Sequence, residues 1–442
     1  MKFKTLPGFR NFYPNDCAIR EYIFSVWKNS ASAFGFVQYD SPTLEPLDLF
    51  KEKSGDEISD QLFCFKDKGG RQVALRPEMT PSLAKLVGEK ANSLKKPLKW
   101  YSIGEQFRYE RPQKGRLRSF YQFNVDIIGE EGIGAEVELL SCLVHNLNAF
   151  GLRNSDFGIF YSDRILWVIF LKIHGVKDQD ILPALALIDR NGNAKSEEFL
   201  DKIMPYLSEN SDNFLNSLNS FMNVKNLNEL KEYFNDKDLT NELNHQIDDR
   251  IKDLKNMMVL LDAIGLKEYL NIDLSIVRGL AYYTGFVFEV FEQKGKGRAL
   301  AGGGRYDNLI KKLTGNAMSA VGFAMGDVTL MDLLNDKNRL PKTSAVADIY
   351  IIFSENHSRT IALSDSKILR MNGVKVDYPL KIRSFSSLFK FFKQSGIRYA
   401  LLYSDNEIDK GLVKLIDLKT GKEEFINRSE SDFFEKLYSI IL

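Results

Sequence analysis

Phe107-Arg108-Tyr109-Glu110-Arg111-Pro112-Gln113-Lys114-Gly115-Arg116-Leu117-Arg118 gathers five cations, Arg108 through Arg118, around a Pro/Gly turn. Strand-like residues flank it, so the pattern predicts a hairpin of Leu98–Glu110 and Phe120–Ile128 joined by a basic loop. Alternate residues of a strand share a face. Gln106, Arg108 and Glu110 therefore point one way and Phe107 and Tyr109 the other. On the return strand Gln122, Asn124 and Asp126 oppose Tyr121, Phe123, Val125 and Ile127. Two polar faces side by side form a floor of donors and acceptors over an apolar underside. A sheet with one solvated face gives the same pattern. The basic loop at the edge favours a binding site, because arginine forks grip phosphate oxygens bidentately. A nucleoside triphosphate or a nucleic-acid end fits such a loop.

The surrounding chain is 442 residues long, enough for two or three domains, each with a core. Its 60 Lys+Arg and 59 Asp+Glu leave a net charge of +1, so nucleic acid would be met by local patches rather than a global field. Cys17, Cys64 and Cys142 are widely separated, and His145, His174, His245 and His357 show no ligand spacing. Neither a disulfide framework nor a zinc set is expected; the reading is a reduced, cytoplasmic protein without structural metal. The N-terminus lacks a signal-peptide core, and no apolar run reaches bilayer length, so no membrane is expected.

Helical spacing of Ile19, Tyr22, Ile23, Val26 and Trp27 predicts a helix over 16–33, ended by Phe34-Gly35-Phe36 and followed by an extended segment to Pro42. Arg71–Pro77 reads as a strand, and Thr80 as the cap of a helix with Pro81 at its first position. Gly134–Phe150 reads as an amphipathic helix. From about Ser162 to Tyr269 the chain is helical, rich in lysine and asparagine and poor in glycine, as in a module inserted between two halves of one sheet. Strands return at Leu274 and at Phe286–Val290. Gly302-Gly303-Gly304 reads as a close-packed turn before a helix near Tyr306, and Ala320–Ala324 as a strand leading to a helix. Asn335–Ser344 reads as a linker, and Asp348–Phe353, Val374–Tyr378 and Tyr399–Tyr403 as strands of a small α/β domain. The predicted domains are 1–163, an insertion 164–270, 271–334, a linker 335–345, and 346–442.

Three further segments carry polar chemistry. In Arg76-Pro77-Glu78-Met79-Thr80 a carboxylate stands at a helix start, where it could receive an ammonium group or merely favour the helix N-terminus. Arg278-Gly279-Leu280-Ala281-Tyr282-Tyr283-Thr284-Gly285 puts an arginine and two tyrosines between glycines that permit sharp turns. Gly302-Gly303-Gly304-Arg305-Tyr306-Asp307 lacks both the phosphate-loop lysine and the dinucleotide spacing.

Taken together these segments resemble the histidyl-tRNA synthetase family of class II aminoacyl-tRNA synthetases, over nearly the whole chain. Phe34–Pro46 looks like class II motif 1, with Pro42 as its proline, and Phe107–Asp126 looks like motif 2. Leu75–Thr80 resembles the amino-acid-binding segment, and Ile276–Tyr283 and Gly302–Asp307 the two family signatures. The resemblance implies an α/β (α+β) fold: a class II antiparallel sheet flanked by helices, a helical insertion and a C-terminal anticodon-binding domain. It implies a homodimer that joins histidine to ATP with Mg2+ and passes the histidyl group to its tRNA. By motif matching, Arg108 holds the α-phosphate and Arg278 stands opposite it beside the carboxylate. Glu110 and Arg116 lie on the ATP side, and Phe120 stacks on adenine. Glu78, Met79, Thr80 and Gln122 meet the substrate's α-amino end. Tyr283 and Asp126 read the imidazole, and Tyr282 and Tyr306 close the pocket. Lys381, Arg383, Lys390 and Lys393 are candidates for tRNA phosphates, or for a solvated helix face.

The match departs from the family's pattern in two places. Thr329 stands where motif 3 carries the arginine that covers adenine, and Ala281 stands where the signature carries an aspartate. A lost cation–π contact, ~0.5–2 kcal/mol, predicts ATP binding weaker by roughly tenfold. The alternative is a non-catalytic relative, the synthetase-like regulatory subunit of ATP phosphoribosyltransferase. That relative lacks the anticodon-binding domain, which the segment from Asp348 supplies here. A class II synthetase for another amino acid is a third reading.

Overall fold

The computed structural model describes the chain except residues 1–2, 55, 192–196, 209–210, 236, 238, 278–281, 295–296, 342–346, 355, 382–386, 389–390, 393–394 and 442. Two compact units result, Met1–Leu340 and Pro341–Leu442. The first is organised by an eight-stranded sheet: β1 Val37–Gln38, β2 Leu98–Phe107, β3 Ser119–Ile128, β4 Phe157–Asp163, β5 Leu270–Ile272, β6 Phe286–Glu292, β7 Ala301–Arg305 and β8 Ala320–Gly326. Their order is β1-β2-β3-β8-β7-β6-β4-β5. Only the edge pairs β1/β2 and β4/β5 are parallel; the others are antiparallel.

The two faces differ as the hairpin alternation predicts. Register puts Gln122, Asn124 and Asp126 of β3 opposite Gly326, Ala324 and Gly322 of β8. Gly322 and Ala324 in turn face Gly304 and Gly302 of β7. One face is thus a polar row beside a trough of very small residues. The other face carries Phe123, Val125 and Ile127, which pack with Trp27 of the helix Pro14–Ala33 and with Leu139, Leu143 and Leu147 of the helix Gly134–Ala149. The Trp27 and Phe123 rings stack at 5.4 Å. Losing a buried ring of this kind costs ~3–5 kcal/mol.

Several sequence expectations shift. The three glycines lie inside the strand Ala301–Arg305, not in a turn, and the following helix starts at Leu309. They serve close sheet packing: a Cβ at Gly303 would meet the Gly322 carbonyl oxygen at 2.2 Å, and one at Gly304 the Phe286 carbonyl oxygen at 2.6 Å. The helix expected from Thr80 has Met79 in the cap position, no side-chain cap bond, and Thr80 as its first residue. The sheet resumes at Leu270, because Leu270–Ile272 pairs in parallel with β4. The helix Asp327–Asp336 runs into the segment read as a linker.

Between β4 and β5 the chain is helical, from Arg164–Ile173 to the 23-residue helix Asn241–Ala263. Its packing is aromatic: Trp167 meets Phe221 edge-on at 5.0 Å, and Phe170 stacks on Phe221 at 4.7 Å. The second unit has a five-stranded sheet. Val376–Asp377, Ile349–Phe353 and Tyr399–Tyr403 are parallel, and Leu412–Asp417 and Glu423–Asn427 complete it antiparallel. A buried knot fixes that unit, where Asp365 accepts two bonds from Arg428, at 2.6 and 2.8 Å, and one from the Tyr403 hydroxyl at 3.0 Å.

Candidate active site

The polar face of the sheet carries two adjoining cavities. The larger, ≈ 560 Å³, runs from the basic loop across the floor and is lined by Arg108, Glu110, Arg116 and Phe120 among others. The smaller, ≈ 150 Å³, is lined by Glu78, Thr80, Asp126, Tyr282, Tyr283 and Tyr306. Arg108, Gln122, Gly302 and Ala324 line both and form their seam. Thus residues from four separate stretches of sequence meet in one place.

The loop is built for this. Gln113 and Arg116 exchange backbone bonds of 3.1 and 2.8 Å across a turn whose Gly115 takes a left-handed φ of 70°. Arg116 pairs with Glu110, which holds two motif side chains upright beside the cavity. Arg108 donates through Nε to the Pro77 carbonyl at 3.1 Å, and its guanidinium carbon sits 5.1 Å from the centre of the Phe120 ring. The hairpin is thereby tied to the Glu78–Thr80 segment. Buried Arg76 makes a second tie: it reaches the Ser41 carbonyl at 2.6 Å, Asp40 at 3.0 Å and the Glu105 carbonyl at 3.1 Å. Gly104 makes room for it, since a Cβ there would lie 2.3 Å from Arg76 Nη2.

In the small chamber the Tyr306 hydroxyl donates to Asp126 at 2.6 Å, both groups being buried. Burial first, and then the Asp126 charge, push Tyr306 well above the ordinary phenol value. Burial also raises Tyr282 and Tyr283, whose rings lie 4.2 Å apart. All three phenols are therefore protonated donors at neutral pH. Gln122 Oε1 and Asn124 Nδ2 are buried and make no hydrogen bond. Buried polar groups are almost always satisfied, so these two atoms are matched to a polar ligand.

A bidentate ion pair supports the chamber from below. Arg305 donates to Glu136 at 2.6 and 2.7 Å, with side chains 8 % and 2 % exposed. The Arg305 backbone carbonyl accepts from Thr284 at 2.7 Å, and Tyr306 N donates to Ala320 at 2.7 Å. Arg305 thus joins the tyrosine segment, the glycine strand and β8.

The expected residues sort as follows. Glu78, Thr80, Arg108, Glu110, Arg116, Phe120, Gln122, Asp126, Tyr282, Tyr283 and Tyr306 all line the two cavities. Met79 lines neither; it is fully buried, because its place before the helix turns it into the core. Arg278 and Ala281 lie outside the described residues, as do Arg383, Lys390 and Lys393. Residues not assigned from sequence also line the site: Asn124 in the small cavity, and Glu289 and Arg298 in the larger. A Cβ built on Gly115 would lie 2.8 Å from Arg298 Cδ and 3.4 Å from Thr329 Cγ2, so both residues stand against the basic loop. The signal for Arg298 was present in the basic, glycine-rich run Lys294-Gly295-Lys296-Gly297-Arg298.

A phosphate-binding hairpin and a small polar chamber, adjoining on a mostly antiparallel sheet, define an enzyme of the aminoacyl-tRNA synthetase class. The family model described as histidyl-tRNA synthetase matches residues 8–329. A histidine–tRNA ligase of Opitutus terrae is 45% identical over 440 residues, covering 98% of this chain and 99% of the relative. One of Pyrococcus furiosus is 32% identical over 427 residues, covering 95% of each. The crystal structure of histidyl-tRNA synthetase from Nostoc sp. PCC 7120 matches the fold with a TM-score of 0.81 at 20% identity, covering 100% of both chains. A Bacillus halodurans structure described as ATP phosphoribosyltransferase regulatory subunit/histidyl-tRNA synthetase matches with a TM-score of 0.74 at 21% identity, covering 91% of this chain and 99% of that one. The chain belongs to the histidyl-tRNA synthetase family.

Proposed function

We infer that the chain is a histidine–tRNA ligase, which joins histidine to ATP as histidyl-adenylate with release of pyrophosphate, then transfers the histidyl group to the 3′ end of its tRNA. The observation that carries this reading is the pair of adjoining cavities with Arg108 and Gln122 on their seam. One cavity suits a nucleotide and the other a small polar amino acid.

The residues fit the chemistry. A carboxylate attacking a phosphorus brings anion against anion. Arginines on the reacting phosphate relieve that repulsion without any proton transfer. Arg108 takes this role from the seam. Arg278, outside the described residues, takes it by resemblance from the opposite side. Phe120 stacks on adenine, with Glu110 and Arg116 beside the nucleotide. Arg298, placed against Thr329, supplies the cation that the family's motif 3 arginine supplies elsewhere. Glu78, Thr80 and Gln122 Oε1 accept from the substrate ammonium. An imidazole needs an acceptor and a donor, and Asp126, fixed by Tyr306, works with Tyr283 to provide them.

Magnesium fits the donor set, since Glu110 and Glu289 line the nucleotide cavity, and this ion uses one or two carboxylates together with phosphates. When bound it neutralises charge on the outer phosphates. Exposed Val37, Leu44 and Phe65, at 63%, 41% and 50%, support pairing of two copies through the motif 1 side. The unit from Pro341 is the anticodon-binding domain in this reading, and the protein works in the cytoplasm. The regulatory-subunit alternative is disfavoured by the 440-residue alignment with a ligase. Charging of histidine-accepting tRNA with labelled histidine tests the reading: acid-precipitable histidine is expected, and none would form in a non-catalytic relative.

A further inference from the structure

Arg164 opens the helix Arg164–Ile173 directly behind the strand-end Asp163. It is only 9% exposed, and its Nη1 is buried without a hydrogen-bond partner. Burial pushes its guanidinium down to about 10, with no opposing charge. The carboxylates nearby in chain or cavity are committed elsewhere. Asp163 accepts from Arg250 at 2.6 and 2.9 Å and from the amides of Ile165 and Leu166. Asp178 pairs with Lys172 at 2.7 Å, and Asp307 with Arg305 and Thr284. Residues 278–281 contribute, by sequence, a cation and no carboxylate. A buried charge without a partner destabilises a fold strongly, so its retention points to a ligand that brings the missing anion.

Arg164 lines a cavity of ≈ 730 Å³ with Lys312, Gln246, Asn308, Tyr282 and Tyr283. The two tyrosines also line the small polar chamber, so they are a wall common to both. The nucleotide cavity reaches that chamber along a different seam, through Arg108, Gln122, Gly302 and Ala324. A second approach to the amino-acid chamber therefore starts at a bare guanidinium and ends at an aromatic wall suited to base stacking.

We propose that the Arg164 cavity is an anion subsite for a phosphodiester near the 3′ end of the tRNA, holding the strand where its terminal ribose meets the activated amino acid across Tyr282 and Tyr283. This rests on the ligase reading. A free phosphate is a poorer fit, being far smaller than the cavity, and pyrophosphate departs on the side of Arg108.

The test compares Arg164→Met and Arg164→Lys with the unaltered protein in three measurements. First, Arg164→Met should melt no lower than the unaltered protein without ligands, since it removes an unpaired buried charge; a lower melting temperature would mean a purely structural role and overturn the proposal. Second, KM for tRNA in histidine charging should rise at least tenfold in Arg164→Met, with partial rescue in Arg164→Lys, while histidine-dependent ATP–pyrophosphate exchange changes far less. An equal fall in both would overturn it; exchange in the unaltered protein reports on the ligase reading by itself. Third, tRNA carrying one neutral methylphosphonate among its 3′-terminal linkages should lose the same factor with the unaltered protein and nothing further with Arg164→Met. Additive losses, or a variant that changes only inhibition by inorganic phosphate or pyrophosphate, would overturn the phosphodiester assignment.

Discussion

The hydroxyl of Tyr306 donates to the carboxylate of Asp126 across 2.6 Å, joining residues 180 apart in the chain. One belongs to the hairpin strand and the other follows the glycine strand, so the bond draws both halves of the sheet around the proposed imidazole pocket. Asp126→Ala should raise KM for histidine at least tenfold while changing KM for ATP little, because a hydrogen bond to a charged group contributes ~1.5–3 kcal/mol. Steady-state exchange kinetics check this; an unchanged dependence on histidine would remove Asp126 from the pocket.

Gly322 offers a steric test of the same place. A Cβ there would lie 1.9 Å from Asp126 Oδ1 and 2.9 Å from the Val125 carbonyl oxygen. Gly322→Ala should push the carboxylate out of position, and a displacement of about 1 Å at a reacting site costs ~10²-fold. Exchange rates at saturating ATP, with a far-ultraviolet spectrum to show the fold retained, measure it.

Arg298 makes a separate claim on the nucleotide side. Arg298→Ala should weaken ATP by roughly tenfold through loss of a cation–π contact, with KM for histidine unaltered. An ATP affinity equal to that of the unaltered protein would leave Thr329 uncompensated.

The Arg305–Glu136 pair predicts a stability effect. Removing one partner of a buried ion pair costs ~3–5 kcal/mol, so Glu136→Gln should lower the denaturation midpoint markedly. A shift within error would show that water or another group takes over the Arg305 guanidinium.

Asp327 gives a pH dependence. It is buried, accepts from Arg10 at 2.7 Å and from the Tyr121 amide at 2.9 Å, and its pKa is raised, burial outweighing the pull of Arg10. For a raised folded value the stabilising increment is complete below the unfolded carboxylate value and is lost as pH rises through the folded one. Stability should therefore fall with rising pH across that interval, starting near the model value of 3.8. Asp327→Asn should flatten this part of the curve of unfolding free energy against pH.

Much of this was legible in the chain because strand alternation is local. Gln122, Asn124 and Asp126 declared one face, and Phe123, Val125 and Ile127 the other, before any partner was known. The Gly302–Gly304 run was misread because glycines signal freedom to turn as readily as they signal close sheet contact. Only register with Gly322 and Phe286 decides between the two, and register is long-range. Arg298, Glu136 and Arg164 went unread for a similar reason: their partners, or the lack of one, are set by tertiary neighbours rather than by spacing. Met79 shows the reverse error, where proximity in a motif suggested contact and the helix start turned the side chain inward.

The most direct measurement is ATP–pyrophosphate exchange with each of the twenty amino acids in turn, on the unaltered protein and on Arg108→Ala. Exchange is predicted with histidine alone, and it should fall by ~10²–10³-fold in the variant, as expected for removal of a charge-stabilising group. Comparable exchange with another amino acid, or an Arg108→Ala protein as fast as the unaltered one, would contradict the account.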